Sequence, residues 1–154
     1  MAAAHAHRRP SISRLFSDLS ALRASFSAAG SPATPAPPPS IVQQGPFLGD
    51  CWLLSPLAAL ATRRPAVVRE LFTACTAEEV AEGRVRVRLC PQGWWREVEV
   101  DTLLPCDEKG RPLFCGTAGA GWPALVEKAF AKMLGSYAAL EGGRCIEALV
   151  DLTG

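Results

Sequence analysis

The sequence predicts a domain of the α+β class, in which helices and one small antiparallel hairpin occupy separate parts of the chain. Three patterns support this prediction. An apolar run after Asp50 is typical of a buried helix, residues 84–89 alternate strictly between arginine and an aliphatic residue, and residues 122–135 repeat apolar residues at helical spacing. Because the two predicted strands follow one another directly, a sheet built from alternating βαβ units is not expected.

The first 40 residues differ in composition from the rest of the chain. They are rich in Ala, Ser, Pro and Arg, they contain the single acid Asp18, and they end in a proline cluster, so we expect a disordered leader. An arginine-rich, acid-poor leader is also typical of an organelle transit peptide, and residues 12–26 can form a short amphipathic helix. A plain linker or a wrongly assigned gene start would give the same composition. The folded domain is expected to span 41–154.

Helices come first in the predicted order of elements. Asp50 is a good N-cap for a helix that covers DCWLLSPLAALA, and Thr76 with Glu79 has the spacing of a capping box for a further helix. Pro56 lacks the N–H that would bond to the Trp52 carbonyl, so we expect it to kink the first helix one turn after its start.

A hairpin is predicted next. Residues 84–89 place Val and Leu on one face and Arg on the other. After the turn CPQG, the run WWREVEVD places Trp94, Val98 and Val100 on one side and acids on the other. The outward arginines of the first strand are expected to face those acids, which indicates a solvated surface rather than a nucleic-acid site. DEKGRP at 107–112 predicts a turn.

Two helices complete the predicted domain. Pro123 stands at a first-turn position, and the amphipathic run that follows predicts a core face. Its apolar positions are Leu125, Val126, Ala129, Phe130 and Met133. RCIEALVDL at 144–152 predicts the last helix.

Composition excludes several classes of function. A chain of 154 residues with 49% hydrophobic residues can form one globular domain. Its net charge of +1 gives no general attraction to nucleic acid or to an anionic membrane. The longest apolar run is about a dozen residues, whereas a membrane-spanning helix needs roughly 20. We therefore expect a soluble protein without a nucleic-acid partner.

The cysteines indicate a reducing compartment. There are six, with no C-x-x-C pair, so neither a zinc site nor a redox dithiol is predicted, and most are expected to be ordinary buried thiols. Free thiols and the absence of an apolar signal region favour the cytoplasm, with organelle targeting through residues 1–40 as the alternative. A secreted domain held by disulfides is the other possibility.

Cys51 is the candidate nucleophile. It would stand at a helix N-terminus, where unpaired N–H groups and the helix dipole stabilise a thiolate. Gly45 and Gly49 allow the preceding backbone to turn closely, and the amide of Gln44 could donate a hydrogen bond to the oxyanion formed when a peptide carbonyl is attacked. Taken alone, a cysteine on an apolar helix is more often an inert buried thiol.

Several segments, in order, resemble the calpain family of cysteine proteases. QGPFLGDCWLL resembles the signature Q-G-x-L-G-D-C-W-[FL]-L, and WPALVEKAFAKMLGSYAALEGG resembles W-x-x-L-[LIV]-E-K-A-[YF]-A-K-x-x-G-S-Y-x-x-L-x-x-G. The hairpin contains W-x-x-V-x-V-D-x-x-L-P, and EALVDLTG is similar to the segment that ends the first half of the protease core. The resemblance covers residues 41–154. LPCDEKGRPLF is most similar to the small-optic-lobes type of the family.

The resemblance implies the first subdomain of a papain-like protease core, helical with a small antiparallel sheet. In the family this subdomain supplies the nucleophilic cysteine, here Cys51, and the second subdomain supplies the histidine and asparagine of a Cys-His-Asn triad. The sequence ends where that first subdomain would end, and His5 and His7 in the leader are poor substitutes for the base. We therefore expect half an active site, inactive alone. Gln44 lies seven residues before Cys51 instead of the six in the signature, and the additional residue could either bulge outward or pull the Gln44 amide away from the oxyanion.

Many members of the family bind calcium in each core subdomain. Calcium needs about six to eight oxygen ligands, and no acid lies between Ile41 and Phe47, where a loop ligand would be expected. Glu127 is the remaining candidate ligand, with a surface position or a partner within its own helix as the alternative.

Two functions follow from these expectations. The first is calpain-like proteolysis of protein substrates, in which this chain is the nucleophile-bearing half and a second subdomain or partner chain completes the site. The second is a catalytically dead calpain-like module for protein binding or scaffolding.

Overall fold

The computed structural model describes residues 42–72, 75–109, 111–116 and 121–154. The predictions for the leader, including His5 and His7, lie outside these residues. Five helices and two strands are described, and they confirm the α+β class: α1 (Cys51–Arg63), α2 (Pro65–Glu70), α3 (Ala77–Ala81), β1 (Arg84–Leu89), β2 (Arg96–Asp101), α4 (Trp122–Leu134) and α5 (Cys145–Thr153), with 3-10 turns at Pro91–Gly93 and Tyr137–Leu140.

Helix α1 begins at Cys51, as predicted, and continues past Pro56 to Arg63. One face is buried, because Leu53, Leu57 and Leu60 recur at helical spacing and pack into the core. The prediction that the Asp50 carboxylate caps this helix is wrong. Asp50 occupies the N-cap position, and its main-chain carbonyl accepts hydrogen bonds from Leu53 and Leu54, but its side chain makes no cap hydrogen bond.

The hairpin has the predicted antiparallel arrangement, and the faces of β1 are as predicted. β1 pairs antiparallel with β2, Val85 opposite Val100 and Val87 opposite Val98, so the aliphatic residues of both strands share the face that packs on the core. Trp94 is an exception. It precedes β2 in the structure and is 73% exposed, so the prediction that it lies on the core side is wrong. The reason is that the alternation begins only where the strand pairing begins, at Arg96.

Two of the outward arginines, Arg84 and Arg86, form ion pairs with acids as expected, whereas Arg88 lies over the Trp95 ring. The guanidinium of Arg86 contacts the carboxylate of Glu79 at 2.5 Å and that of Glu97 at 3.3 Å. The hydrogen bond from Arg86 lowers the pKa of Glu79 to about 2. Glu79 also accepts from the Thr76 N–H at 2.9 Å while Thr76 Oγ1 accepts from the Glu79 N–H, which confirms the predicted capping box of α3. Helix α3 is thereby tied to the outer face of the hairpin.

Helix α4 runs through the centre of the domain. Its predicted apolar face is buried, with Met133 partly buried at the end, and the helix ends at Gly135, whose φ of 103° suits glycine. Lys128 joins the helix to the end of the hairpin, since its ammonium donates to the Asp101 carboxylate at 2.7 Å and to the Leu103 carbonyl at 2.6 Å.

Helix α5 packs against α1 and closes the domain. Ala148 and Leu152 are its buried residues, and the Asp151 carbonyl accepts a 2.7 Å hydrogen bond from the Cys90 N–H at the hairpin turn. Among the described residues, each helix is too short or too polar to cross a lipid bilayer.

Candidate active site

Cys51 is exposed at the first residue of α1. Within the described residues its backbone N–H has no hydrogen-bond partner, because the first helical bonds to the Asp50 carbonyl come from Leu53 and Leu54. An unpaired N–H beside an exposed thiol at a helix start is an arrangement that stabilises negative charge. Cys145, the first residue of α5, is the other exposed cysteine, whereas the remaining four are buried, as expected for ordinary thiols. All six are free.

The loop before α1 carries Gln44 and is held close to a neighbouring segment. The Gln43 carbonyl accepts from the Gly116 N–H at 2.7 Å. A Cβ on Gly45 would lie 1.8 Å from the Phe114 carbonyl oxygen, so only glycine fits there. The Gln44 side chain donates from Nε2 to the Leu48 carbonyl at 2.6 Å. One of the two amide hydrogens is therefore used inside the loop that contains the additional residue.

A second loop that the sequence analysis did not assign lies beside Cys51. The Gly142 N–H donates to the Gly49 carbonyl at 3.1 Å. Gly143 lies against the Trp52 indole so closely that a Cβ would be 2.4 Å from two ring atoms. The described structure shows no hydrogen bond from the Gly143 N–H or to its carbonyl. The Gly-Gly pair in ALEGG is the sequence feature that could have indicated this loop. Its position beside α1 could not be predicted, because it depends on contacts with residues about 90 positions earlier.

Trp52 fixes this second loop. Its indole N–H donates to the Leu140 carbonyl at 2.7 Å in a buried hydrogen bond, and its ring packs edge-on against Phe130 of α4 at 6.4 Å between centroids. Trp52 thus contacts α4 and the Gly143 loop from its position on α1, and these contacts hold the three segments together.

Two carboxyl groups are buried near the start of α1. Asp50 is 1% exposed and Glu127 of α4 is 2% exposed, so the alternative of a surface position for Glu127 is wrong. The two carboxyl groups interact with each other, and Glu127 Oε2 accepts a hydrogen bond from the Cys115 N–H at 3.1 Å. Both Asp50 oxygens and Glu127 Oε1 lack a hydrogen-bond partner among the described residues.

The environment of this pair opposes two full negative charges. Burial raises the pKa of Asp50, and burial, followed by the interaction with Asp50, raises the pKa of Glu127. The Cys115 thiol nearby stays protonated, because burial raises its pKa to about 12. Two adjacent buried carboxylates need a proton or a cation between them. The described residues contain no cluster of three or more His, Cys, Asp or Glu side chains.

The comparison with protein families agrees with this geometry. The profile of the calpain family cysteine proteases matches residues 37–154. The chain belongs to the calpain family. This membership confirms the predicted papain-like first subdomain, which the helical structure with its two-stranded antiparallel sheet matches.

Individual relatives are similar over the same region. The calpain-type cysteine protease DEK1 of Arabidopsis thaliana is 47% identical over 118 residues, which cover 75% of this chain and 5% of that protein. Human calpain-14 is 38% identical over 110 residues, covering 70% of this chain and 16% of that protein. The rat calpain-1 catalytic subunit is 40% identical over 109 residues, which cover 70% of this chain and 15% of that protein. The chain thus matches a small part of each relative, and the small-optic-lobes subtype stays a prediction.

Proposed function

We propose that this chain is the nucleophile-bearing half of a calpain-type endopeptidase that acts on protein substrates, inactive until a second subdomain or partner chain supplies histidine and asparagine. The observation that carries the proposal is the exposed Cys51 at the start of α1, between the Gln44 loop and the Gly143 loop. The described residues contain no histidine, so the general base has to come from elsewhere.

Each residue of the site has a role in this proposal. The Cys51 thiolate attacks the substrate carbonyl, and the oxyanion that forms accepts hydrogen bonds from the Cys51 N–H and from the amide hydrogen of Gln44 that Leu48 leaves free. The unpaired N–H and carbonyl of Gly143 are suited to an extended substrate backbone, which presents the complementary groups. Removing one oxyanion donor typically costs about 10²–10³-fold in kcat, so Gln44→Ala should reduce turnover by that amount.

A reconstitution experiment tests the proposal. The chain is mixed with a separately produced second calpain-core subdomain that carries the histidine and asparagine, and hydrolysis of a fluorogenic peptide is measured. We expect no activity from either part alone and activity from the mixture. Cys51→Ala should abolish it, whereas Cys145→Ala, which removes the other exposed thiol, should leave it unchanged. Association of the two parts without hydrolysis would contradict the protease proposal.

One observation favours the alternative of a binding or scaffolding module. Phe47 is a large apolar side chain, 67% exposed, on the loop before α1. A protein partner seated on this loop would remove the apolar side chain from water, which is favourable. The reconstitution experiment separates the two functions, because a dead module would associate through this face whether or not Cys51 is present and would release no product.

Calcium is proposed as a ligand of the buried carboxyl pair. Three carboxylate oxygens without a protein donor, on Asp50 and Glu127, are of the chemical kind that calcium prefers. They supply fewer than the six to eight oxygens that calcium takes, so backbone carbonyls and water would have to supply the others. When bound, calcium would neutralise the pair and hold the segment before Cys51 to α4.

The calcium proposal is tested by thermal unfolding of the chain at increasing calcium concentration. A ligand that binds only the folded state raises the Tm with its concentration, so we expect a rise in the wild-type chain. The rise should disappear in Asp50→Asn and Glu127→Gln but persist in Glu108→Gln, which removes an exposed carboxylate in the 107–112 turn. If millimolar calcium leaves the wild-type Tm unchanged, a shared proton alone accounts for the pair.

A further inference from the structure

An apolar groove lies on the face formed by the end of α4, by α5 and by the hairpin turn. Its volume is about 620 Å³. Three of its lining residues are large apolar side chains with unusual exposure: Leu134 at 47%, Ile146 at 58% and Val150 at 43%. Ile146 and Val150 are one turn apart on α5, so they form one continuous stripe. Such a concentration of exposed apolar surface is typical of a docking site.

The charged residues that line the groove are Glu147 and Asp151, which form an acidic edge on α5, and Arg96 at the start of β2. Glu147 and Asp151 lie one turn apart on α5, and like charges at this spacing destabilise each other. Partial burial and then the repulsion from Glu147 raise the pKa of Asp151. Arg144 approaches Glu147 at 3.7 Å, but in the part of the chain that the structure describes no cation forms an ion pair with Asp151. A cation brought to this edge by a ligand would therefore bind favourably.

The leader contains a segment with the complementary pattern. Residues 12–26 carry apolar side chains at helical spacing, namely Ile12, Leu15, Phe16, Leu19, Leu22 and Phe26. Arg23 falls within this apolar face, four residues after Leu19 and three before Phe26. A positive charge in the middle of an apolar face needs an acidic partner once that face is covered. Arg14 falls on the opposite, polar face.

We propose that residues 12–26 dock as an amphipathic helix into this groove of the same chain, with Arg23 against the Glu147 and Asp151 edge. The connection is long enough. Residues 27–41 form a linker of 15 residues, which spans up to about 50 Å when extended. A domain of this size has a radius of gyration of only about 13 Å. Docking would cover the exposed stripe of α5 and hold the leader on the folded domain, independently of any peptidase activity.

Hydrogen–deuterium exchange of the full chain tests the docking. The measurement compares the amides of residues 12–26 and of α5 in the wild type and in four variants. We expect exchange in 12–26 to be at least about 10-fold slower than in an unprotected peptide, a free-energy difference of about 1.4 kcal/mol. Ile146→Glu and Arg23→Glu should remove this protection. Asp151→Arg combined with Arg23→Glu should restore it, since the charges are then reversed together.

The matched control is Arg14→Glu, which makes the same charge change on the opposite face of the segment and should leave the protection unchanged. Exchange of 12–26 at unprotected rates in the wild type would overturn the proposal. So would protection that survives Ile146→Glu, or an equal effect of Arg14→Glu and Arg23→Glu. Protection that falls on dilution would assign the groove to the leader of a second copy, which also overturns docking within one chain.

Discussion

Replacing Trp52 by Phe tests whether one buried hydrogen bond holds the loop beside the nucleophile. The chain offers a close comparison in Trp122. Both tryptophans are buried, but the Trp52 indole N–H donates to the Leu140 carbonyl at 2.7 Å, whereas the Trp122 indole N–H has no partner among the described residues. Trp52→Phe and Trp122→Phe remove the same atoms, so the losses of burial and the cavities they leave are similar. The difference between the two variants therefore reports the hydrogen bond.

The expected difference follows from the state of the groups left behind. Trp52→Phe leaves the fully buried Leu140 carbonyl without its donor, and an unsatisfied buried group costs about 1–3 kcal/mol. Trp122→Phe removes a donor that is already unpaired, so it carries no such cost. We expect Trp52→Phe to be less stable than Trp122→Phe by about 1–3 kcal/mol, which corresponds to a Tm lower by about 4–12 °C in a domain of this size.

Urea unfolding followed by far-UV circular dichroism measures the difference without relying on tryptophan fluorescence. Hydrogen exchange at Glu141 to Arg144 should rise in Trp52→Phe and stay unchanged in Trp122→Phe, because only Trp52 contacts the Gly143 loop. Equal free energies of unfolding in the two variants, within about 0.5 kcal/mol, would refute the reasoning that this hydrogen bond fixes the loop.

Three further predictions concern local features. Gly143→Ala places a Cβ 2.4 Å from the Trp52 ring and should destabilise the domain by about 1–3 kcal/mol in urea unfolding; an unchanged midpoint would mean that the loop yields freely. Arg86 lowers the pKa of Glu79 from 4.5 to about 2, so this pair stabilises the fold above pH 4.5 and the stabilisation is lost as the pH falls toward 2. Glu79→Gln should flatten the pH dependence of the urea midpoint in that window, and an unaltered slope would count against the pair. Thr76→Ala removes the capping hydroxyl of α3 and should cost about 1 kcal/mol of unfolding free energy, whereas Thr62→Ala, an exposed threonine within α1, should cost less.

Features with short-range causes were predictable from the sequence. The capping box of Thr76 and Glu79 depends on groups three residues apart, and the antiparallel hairpin of β1 and β2 follows from two adjacent alternating runs joined by a short turn. The start of α1 at Cys51 was also predictable, because a glycine turn and an N-cap residue precede an apolar run.

Features with long-range causes were not predictable in the same way. Aspartate is a residue type that commonly caps helices, yet the Asp50 carboxylate interacts with Glu127 of α4, which is 77 residues later in the chain. The reason is that the fold buries both side chains at one point. Trp94 continues the alternation of β2 in the sequence but lies outside the strand pairing and is exposed. The Gly143 loop lies beside the start of α1 because it contacts Gly49 and Trp52, which are about 90 residues earlier in the chain.

The sequence by itself determined the family and the class of fold and predicted Cys51 as the nucleophile, since these depend on residues that are neighbours along the chain. Only the tertiary structure decided what surrounds Cys51: the open backbone of Gly143, the engaged amide of Gln44 and the buried carboxyl pair near the start of α1. The physical reason is that hydrogen bonding and burial depend on distances in space, and packing α1 against α4 and α5 brings together groups that lie far apart along the chain.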